Sequence, residues 1–263
     1  MNPKHVLRRM LARVWAEALA WRAGAHPLTA GRVLVVSPHA DDETLGCGGL
    51  IAERAERGFP TNVVYLTDSG GTSPEPTTRR ELARQRRAEA LDALRILGVP
   101  AGEASFLGAP DGRLNRLDTG EAEKLRQGLA EVVERGKPDA VYLPFLGSHS
   151  TEHEAAHRIC REVLDGCGWR GNLWEYPVWA WWNPPRFARR CAGKPAPTAL
   201  TLGPRLETKR RALRAHASQH LAGAGLPQVL GEICLAKREF FFPVKTPRSL
   251  PDGKRGPQTP GIA

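Results

Sequence analysis

Residues His39-Ala40-Asp41-Asp42-Glu43 put one imidazole and three carboxylates into five consecutive positions. Stability alone does not favour such a cluster, because neighbouring carboxylates repel and each prefers water. A divalent transition ion does favour it. A borderline ion such as zinc accepts an imidazole nitrogen together with a carboxylate oxygen, and a catalytic zinc commonly keeps three protein ligands and one open position. His39 and Asp42 lie three apart, so both can face one ion while Asp41 faces elsewhere. Asp41 would then stay unligated beside the ion, free to act as a general base. The plainer reading is that the carboxylates cap a helix, whose N-terminal dipole favours negative charge.

A third ligand must come from far along the chain, and Ser148–His157 offers His149, His153 and His157. His153 is the choice here, because a helix capped by Ser150 or Thr151 holds it in its first turn. His149 precedes that helix and His157, one turn further in, reads as a packed helical histidine.

The elements that position these residues can be read from periodicity. Val33–Ser37 is an apolar, β-branched run, as expected for a strand buried on both faces, and it stops at Pro38. A helical pattern opens at Glu43-Thr44-Leu45. Gly46-Cys47-Gly48-Gly49 looks like a glycine-rich ligand loop, but such glycines should follow the strand directly. Here they fall a turn into the helix, as small residues for close packing. Further strands are expected at Thr61–Thr67, Ala104–Leu107, Ala140–Phe145, Trp174–Trp182 and Glu239–Val244. Helices are expected at Thr77–Leu97, Thr119–Arg135, Glu154–Leu164 and Leu206–Ala217. This alternation predicts an α/β fold, a Rossmann-like three-layer α/β/α sandwich with a mostly parallel sheet. Open sheets of that kind bind ligands beyond the carboxyl ends of their strands, where the loops at 38–43, 68–72 and 147–153 fall. Trp174, Trp179, Trp181 and Trp182 could line a sugar-binding cleft, with alternate ones in the core.

The chain divides into a basic amphipathic helix at 1–30, a main domain at 31–245 and a Pro/Gly/Lys-rich flexible tail at 246–263. Its 263 residues carry a formal charge of +10, which suits acidic partners, but no nucleic-acid module accompanies the charge. No specific nucleic-acid partner is expected. The five cysteines lack zinc-finger spacing and read as reduced thiols, which points to a cytoplasmic protein. The N-terminal helix, basic on one side and apolar on the other, allows peripheral contact with the inner face of a membrane.

Taken in order, these segments resemble the LmbE-like or PIG-L family of zinc-dependent N-acetylglucosaminyl deacetylases. Pro38-His39-Ala40-Asp41-Asp42-Glu43 matches its Pro-His-Pro-Asp-Asp-Glu motif, and Ser150-Thr151-Glu152-His153 its His-x-Asp-His loop. Thr67-Asp68, Arg86-x-x-Glu89, Leu107-Gly108-x-Pro110-Asp111-Gly112 and Lys209 to Gln219 extend the match. The resemblance implies one Zn2+ held by His39, Asp42 and His153, with Asp41 as general base and Arg86 and Asp111 in contact with substrate. It implies removal of an N-acetyl group from an amino-sugar conjugate, a small molecule or glycan intermediate. Ala40 stands where the motif has proline, which should only loosen the turn. Glu152 replaces the aspartate, and the oxyanion-stabilising histidine of the motif falls on Ser150, with His149 one place earlier. His149 could fill that role if the loop bulges by one residue. Two other readings fit the bare residues: a metal-dependent phosphoesterase, which would want a carboxylate-bridged metal pair, and a non-catalytic anion-binding protein of the same fold.

Overall fold

The computed structural model describes residues 3–71, 75–219 and 227–244; the tail expected at 246–263 lies outside them. The apolar run after Arg32 does become a fully buried strand. In chain order the strands are β1 (Gly24–Ala25), β2 (Val33–Ser37), β3 (Thr61–Thr67), β4 (Ala104–Ala109), β5 (Ala140–Pro144), β6 (Asn172–Tyr176), β7 (Thr198–Thr201) and β8 (Arg238–Val244). They form one eight-stranded sheet in the order β1-β7-β8-β6-β5-β2-β3-β4. All neighbouring pairs are parallel except that β8 runs antiparallel to both β6 and β7.

The helices are α1 (Pro3–Arg22), α2 (Asp42–Glu56), α3 (Pro76–Ile96), α4 (Thr119–Gly136), α5 (Thr151–Gly166), α6 (Pro184–Cys191), α7 (Arg205–Ala215) and α8 (Gln228–Cys234). Alternation along β2 sorts them into two layers. Val33 and Val35 pack with Leu50 of α2, Leu94 of α3 and Leu213 of α7. Leu34 and Val36 point the other way, onto Leu125 and Leu129 of α4 and Ile159 and Val163 of α5. Each such side chain contributes about 1.5–3 kcal/mol on full burial. The three-layer α/β/α sandwich is therefore the fold. The chain enters the central sheet at β2, adds β3 and β4 on one side, then returns to place β5 and β6 on the other. The topological switch point thus lies between β2 and β5, where ligands of such sheets bind.

The glycines of α2 do serve close packing. A Cβ on Gly46 would sit 2.1 Å from the Tyr176 ring, and one on Gly49 would sit 2.1 Å from Leu202. Those distances require glycine, not a phosphate.

One expectation needs correction. The tryptophan-rich segment is strand only to Tyr176; after Pro177, which has no N–H for a ladder, Trp179–Trp182 turns into a 3-10 helix. Its rings serve packing: Trp181 stands edge-on to Phe187, and Arg8 of α1 lies 3.7 Å over the Trp182 ring. Four short elements, β1, β7, α6 and α8, were not anticipated, being too brief for a periodic signal. Helix α1 packs one face, with Ala12 and Leu19 buried, Trp15 against Phe187 and Arg9 paired to Glu232 at 3.0 Å. Its opposite face exposes Leu7, Met10, Leu11, Val14 and Trp21. No helix among the described residues is long and apolar enough to cross a membrane.

Candidate active site

The turn from β2 to α2 carries most of the chemistry, and its backbone is held from all sides. Asp41 has φ 131°, a conformation costly for any residue but glycine. The strain persists because the turn is over-determined. The Asp41 N–H donates to Glu43 Oε2 at 3.0 Å, and Glu43 in turn accepts from Ser37 Oγ and from Thr44 Oγ1. His216 Nε2 lies 3.1 Å from Glu43 Oε1, entirely buried. On the other side, the Ala40 N–H donates to Ser69 Oγ at 2.9 Å, while the Ala40 carbonyl accepts from Gln219 Nε2 at 3.1 Å. Proline at position 40 would have no N–H to give Ser69. The substitution therefore adds a tether where a looser turn was expected.

Asp42 sits between two imidazoles. Its Oδ2 lies 3.2 Å from His39 Nδ1 and 3.1 Å from His153 Nε2, and it also accepts from the His39 N–H at 3.1 Å. The contact with His153 is short but misaligned: Nε2 is buried with no hydrogen-bond partner. Burial alone would raise the Asp42 pKa, but the His153 and His39 imidazoles hold it well below the usual carboxylate range. One ligand atom from each of His39, Asp42 and His153 lies within 4.8 Å of the others, a separation suited to a shared ion. Two nitrogens and one oxygen form a donor set that suits zinc or a similar transition ion. A buried imidazole nitrogen without a protein partner is what a metal ligand offers its ion. The residues fit the group.

The His39 ring is oriented from its far side. Nε2 lies 3.1 Å from Asp111 Oδ1 and 3.7 Å from Glu152 Oε2. Asp111 and Glu152 thus flank Nε2, while Nδ1 faces Asp42 on the side of the His39, Asp42 and His153 set. His39, Asp111 and Glu152 form a second acidic set. It does not make a second metal site of equal quality. Glu152 accepts from the Leu114 and Gly112 N–H groups at 2.9 and 3.2 Å, and Asp111 accepts from the Gly71 N–H at 2.8 Å. These carboxylates hold the 110–114 loop against α5 and so are already engaged by backbone N–H groups.

Asp41 is buried and unligated. Desolvation and the neighbouring Asp42 carboxylate raise its pKa well above the ordinary value, the direction a general base at neutral pH requires. Arg86 is also at the site: it is 8% exposed, donates from Nη1 to the Ser69 carbonyl at 2.9 Å, lies 3.9 Å from Asp111 Oδ2, and leaves its buried Nε without a partner. Ser150 caps α5, accepting from the His153 N–H at 3.4 Å, so His153 occupies the first turn as its spacing implied. His157 faces away, its Nδ1 2.9 Å from the Pro144 carbonyl. His149 is exposed in the loop before α5 and makes no hydrogen bond with the cluster among the described residues. Sequence reasoning did not foresee the Glu43–His216 brace. The identity of Glu43 within the acidic run was visible, but its partner lies 173 positions away.

The molecule is thus an α/β sandwich with a His–Asp–His set and a buried carboxylate at its switch point. The family model described as PIG-L, GlcNAc-PI de-N-acetylase, matches residues 34–164, and the chain belongs to that family. The 1D-myo-inositol 2-acetamido-2-deoxy-alpha-D-glucopyranoside deacetylase of Nocardia farcinica is 29% identical, over 72% of this chain and 80% of its own length. The 2'-N-acetylparomamine deacetylase of Streptomyces fradiae is 29% identical over 55% of this chain, which spans 58% of that relative. Among solved structures, the conserved protein TT1542 of Thermus thermophilus superposes with a TM-score of 0.57 at 25% identity, covering 85% of this chain and 99% of its own.

Proposed function

We propose that this protein is a zinc-dependent N-deacetylase, an amidohydrolase of linear amides that removes an N-acetyl or other N-acyl group from an amino-sugar conjugate. The observation that carries the reading is the buried, unpartnered His153 Nε2 beside Asp42 and the His39 ring. Deacetylase relatives that act on N-acetylated amino sugars support the substrate class. In this reading His39, Asp42 and His153 hold the ion, which when bound supplies Lewis-acid activation of water and of the amide carbonyl. Asp41 takes a proton from the attacking water and returns it to the leaving nitrogen, yielding carboxylate and free amine. Asp111 joins the two sides of the site: Oδ1 orients the His39 ring, and Oδ2 faces Arg86. Arg86 is the cation placed to contact substrate beside Asp111. His149, exposed at the loop edge, is the candidate for stabilising the oxyanion. Peripheral contact with an anionic membrane would use the outward stripe of α1, and co-sedimentation with anionic vesicles, abolished by Val14→Glu, tests it.

The first experiment is elemental analysis of the purified protein and its His153→Ala variant, beside acetate release from a panel of N-acetyl amino sugars. About one zinc per chain, lost in the variant together with acetate release, is the expected result. Two metals per chain would favour a phosphoesterase instead. No metal after incubation with zinc would overturn the reading.

A further inference from the structure

The wall beside the candidate site is more cationic than amide hydrolysis requires. Arg80, Arg84 and Arg87 recur along α3 at i, i+4 and i+7, so they share one helix face, with Arg79 at its edge. Like charges at that spacing disfavour a helix by a few tenths of a kcal/mol per pair. Some arginines elsewhere on the surface are matched, such as Arg126 to Glu162, Arg205 to Glu56 and Arg214 to Glu207. Among the described residues, no carboxylate lies within ion-pair distance of Arg79, Arg80, Arg84 or Arg87. The contacts these side chains make are an Arg84 Nε bond to the Arg80 carbonyl and the stacking of Arg87 3.9 Å over Phe106.

These arginines line a groove that begins at the catalytic turn. An inner cavity of about 190 Å³ touches Ala40, Ser69, Phe106 and Arg87. An outer one of about 460 Å³ touches Arg79, Arg80 and Arg113. The two adjoin, sharing Asp68, Ala83 and Arg84. Asp68 is the acid that lines both cavities; its Oδ1 is held by the Gly70 and Asp111 N–H groups at 2.9 and 3.2 Å, and its single charge is outnumbered by the arginines. Arg113 has only a half-exposed partner, Glu121 at 3.3 Å, a weak pair in water. The result is a groove with an excess of guanidinium groups leading away from Ala40 and Ser69, the residues that brace the Asp41 turn.

We propose that this groove is a subsite for an anionic group, phosphate or carboxylate, borne by the amino-sugar substrate away from its scissile amide. Guanidinium forks bind either group in bidentate fashion, and planar Arg87 held on Phe106 is pre-oriented to do so. The substrate class is then an acidic N-acyl amino-sugar conjugate. This inference rests on the deacetylase reading of the adjoining site.

The test compares acetate release from N-acetylglucosamine 1-phosphate, N-acetylglucosamine 6-phosphate, N-acetylmuramic acid and neutral methyl N-acetylglucosaminide, in the wild type and in the Arg80→Gln/Arg84→Gln double variant. Both residues are exposed, and matched thermal melts check that the fold survives. At least one acidic sugar is expected to exceed the neutral one in kcat/KM by about tenfold or more, chiefly through KM, the worth of one charge-assisted hydrogen bond. That ratio should collapse toward one in the double variant and shrink at high salt. Phosphate and carboxylate arms identify which anion is read. Equal rates on acidic and neutral sugars, unmoved by the variant, overturn the subsite while leaving the deacetylase intact. If no sugar is hydrolysed, the deacetylase reading is what fails, and calorimetric titration with N-acetylglucosamine 1-phosphate decides the groove. Saturable binding weakened by the double substitution supports it, and absence of binding overturns it.

Discussion

The two strand-to-helix turns that meet at the switch point do related work with unequal stiffness. The turn after β2 holds His39, Asp41 and Asp42 through a closed set of bonds from Ser37, Glu43, Ser69, His216 and Gln219, and tolerates a strained Asp41 as a result. The turn after β5 contributes one buried imidazole, His153, from the start of a capped helix, while Leu146 and His149 stand exposed before it. A metal ligand can come from the first turn of a helix, because the helix itself fixes the direction of the side chain. In the proposed reading Asp41, a free base, needs more, since nothing ligates it and only the backbone aims it. The stiffness therefore sits where the unligated group is.

The comparison is broken most decisively at the ligands. Asp42→Asn and His153→Ala should each weaken metal binding by more than the roughly 10–100-fold typical of an outer-shell partner, whereas Asp111→Asn should fall inside that range. Competition titration with a chelating dye measures this, and equal losses in all three would erase the distinction between ligand and orienting carboxylate. Asp41→Asn should retain metal and lose about 10²–10⁴ in kcat. Loss of metal in that variant would show that the first turn supplies two carboxylate ligands and no base.

A control lies away from both turns, at His26. This ring is buried against Trp174 and Phe241, and burial, followed by the field of Arg54, lowers its pKa to about 3. The folded protein thus binds fewer protons here than the unfolded chain between about pH 6.5 and 3. Stability should fall as pH drops through that window, by up to about 1.4 kcal/mol per pH unit. Thermal melts from about pH 7 to 5 should show this slope, reduced in His26→Gln; an unchanged slope would assign acid sensitivity to the turns themselves.

Smaller effects sharpen the contrast in stiffness. His149→Ala should lower kcat by about 10²-fold, the worth of one oxyanion donor; a loss of less than about tenfold would remove it from that role. Ala40→Pro should destabilise by about 1 kcal/mol through the lost bond to Ser69. A raised melting temperature would mean that proline rigidity outweighs the tether.

Legibility followed locality. His39, Asp41 and Asp42 were readable because their spacing lies within one turn, and His153 because Ser150 and the helical pattern put it in a first turn. The parallel core was readable from buried β-branched runs at 33–37, 61–67 and 140–144. The tryptophan run misled, since aromatic density favours a strand as much as a packed 3-10 turn, and the packing partner, α1, lies far off in sequence. The direction of β8 was equally hidden, because an antiparallel strand returning into a parallel sheet has the same residue pattern as a parallel one.

Residue types and their order were enough to place His39, Asp41 and Asp42 in one turn and to predict the α/β alternation, because each depends on neighbours within a few positions. Only the tertiary structure decided which carboxylate each nitrogen of His39 meets, since Asp111 reaches Nε2 from another loop. The same holds for Asp41, whose strained backbone is secured through Glu43 by His216 from the end of α7, and for the arginines of α3, which face an open groove instead of carboxylates. Those outcomes depend on which surfaces meet when the layers close, and no local pattern encodes that meeting.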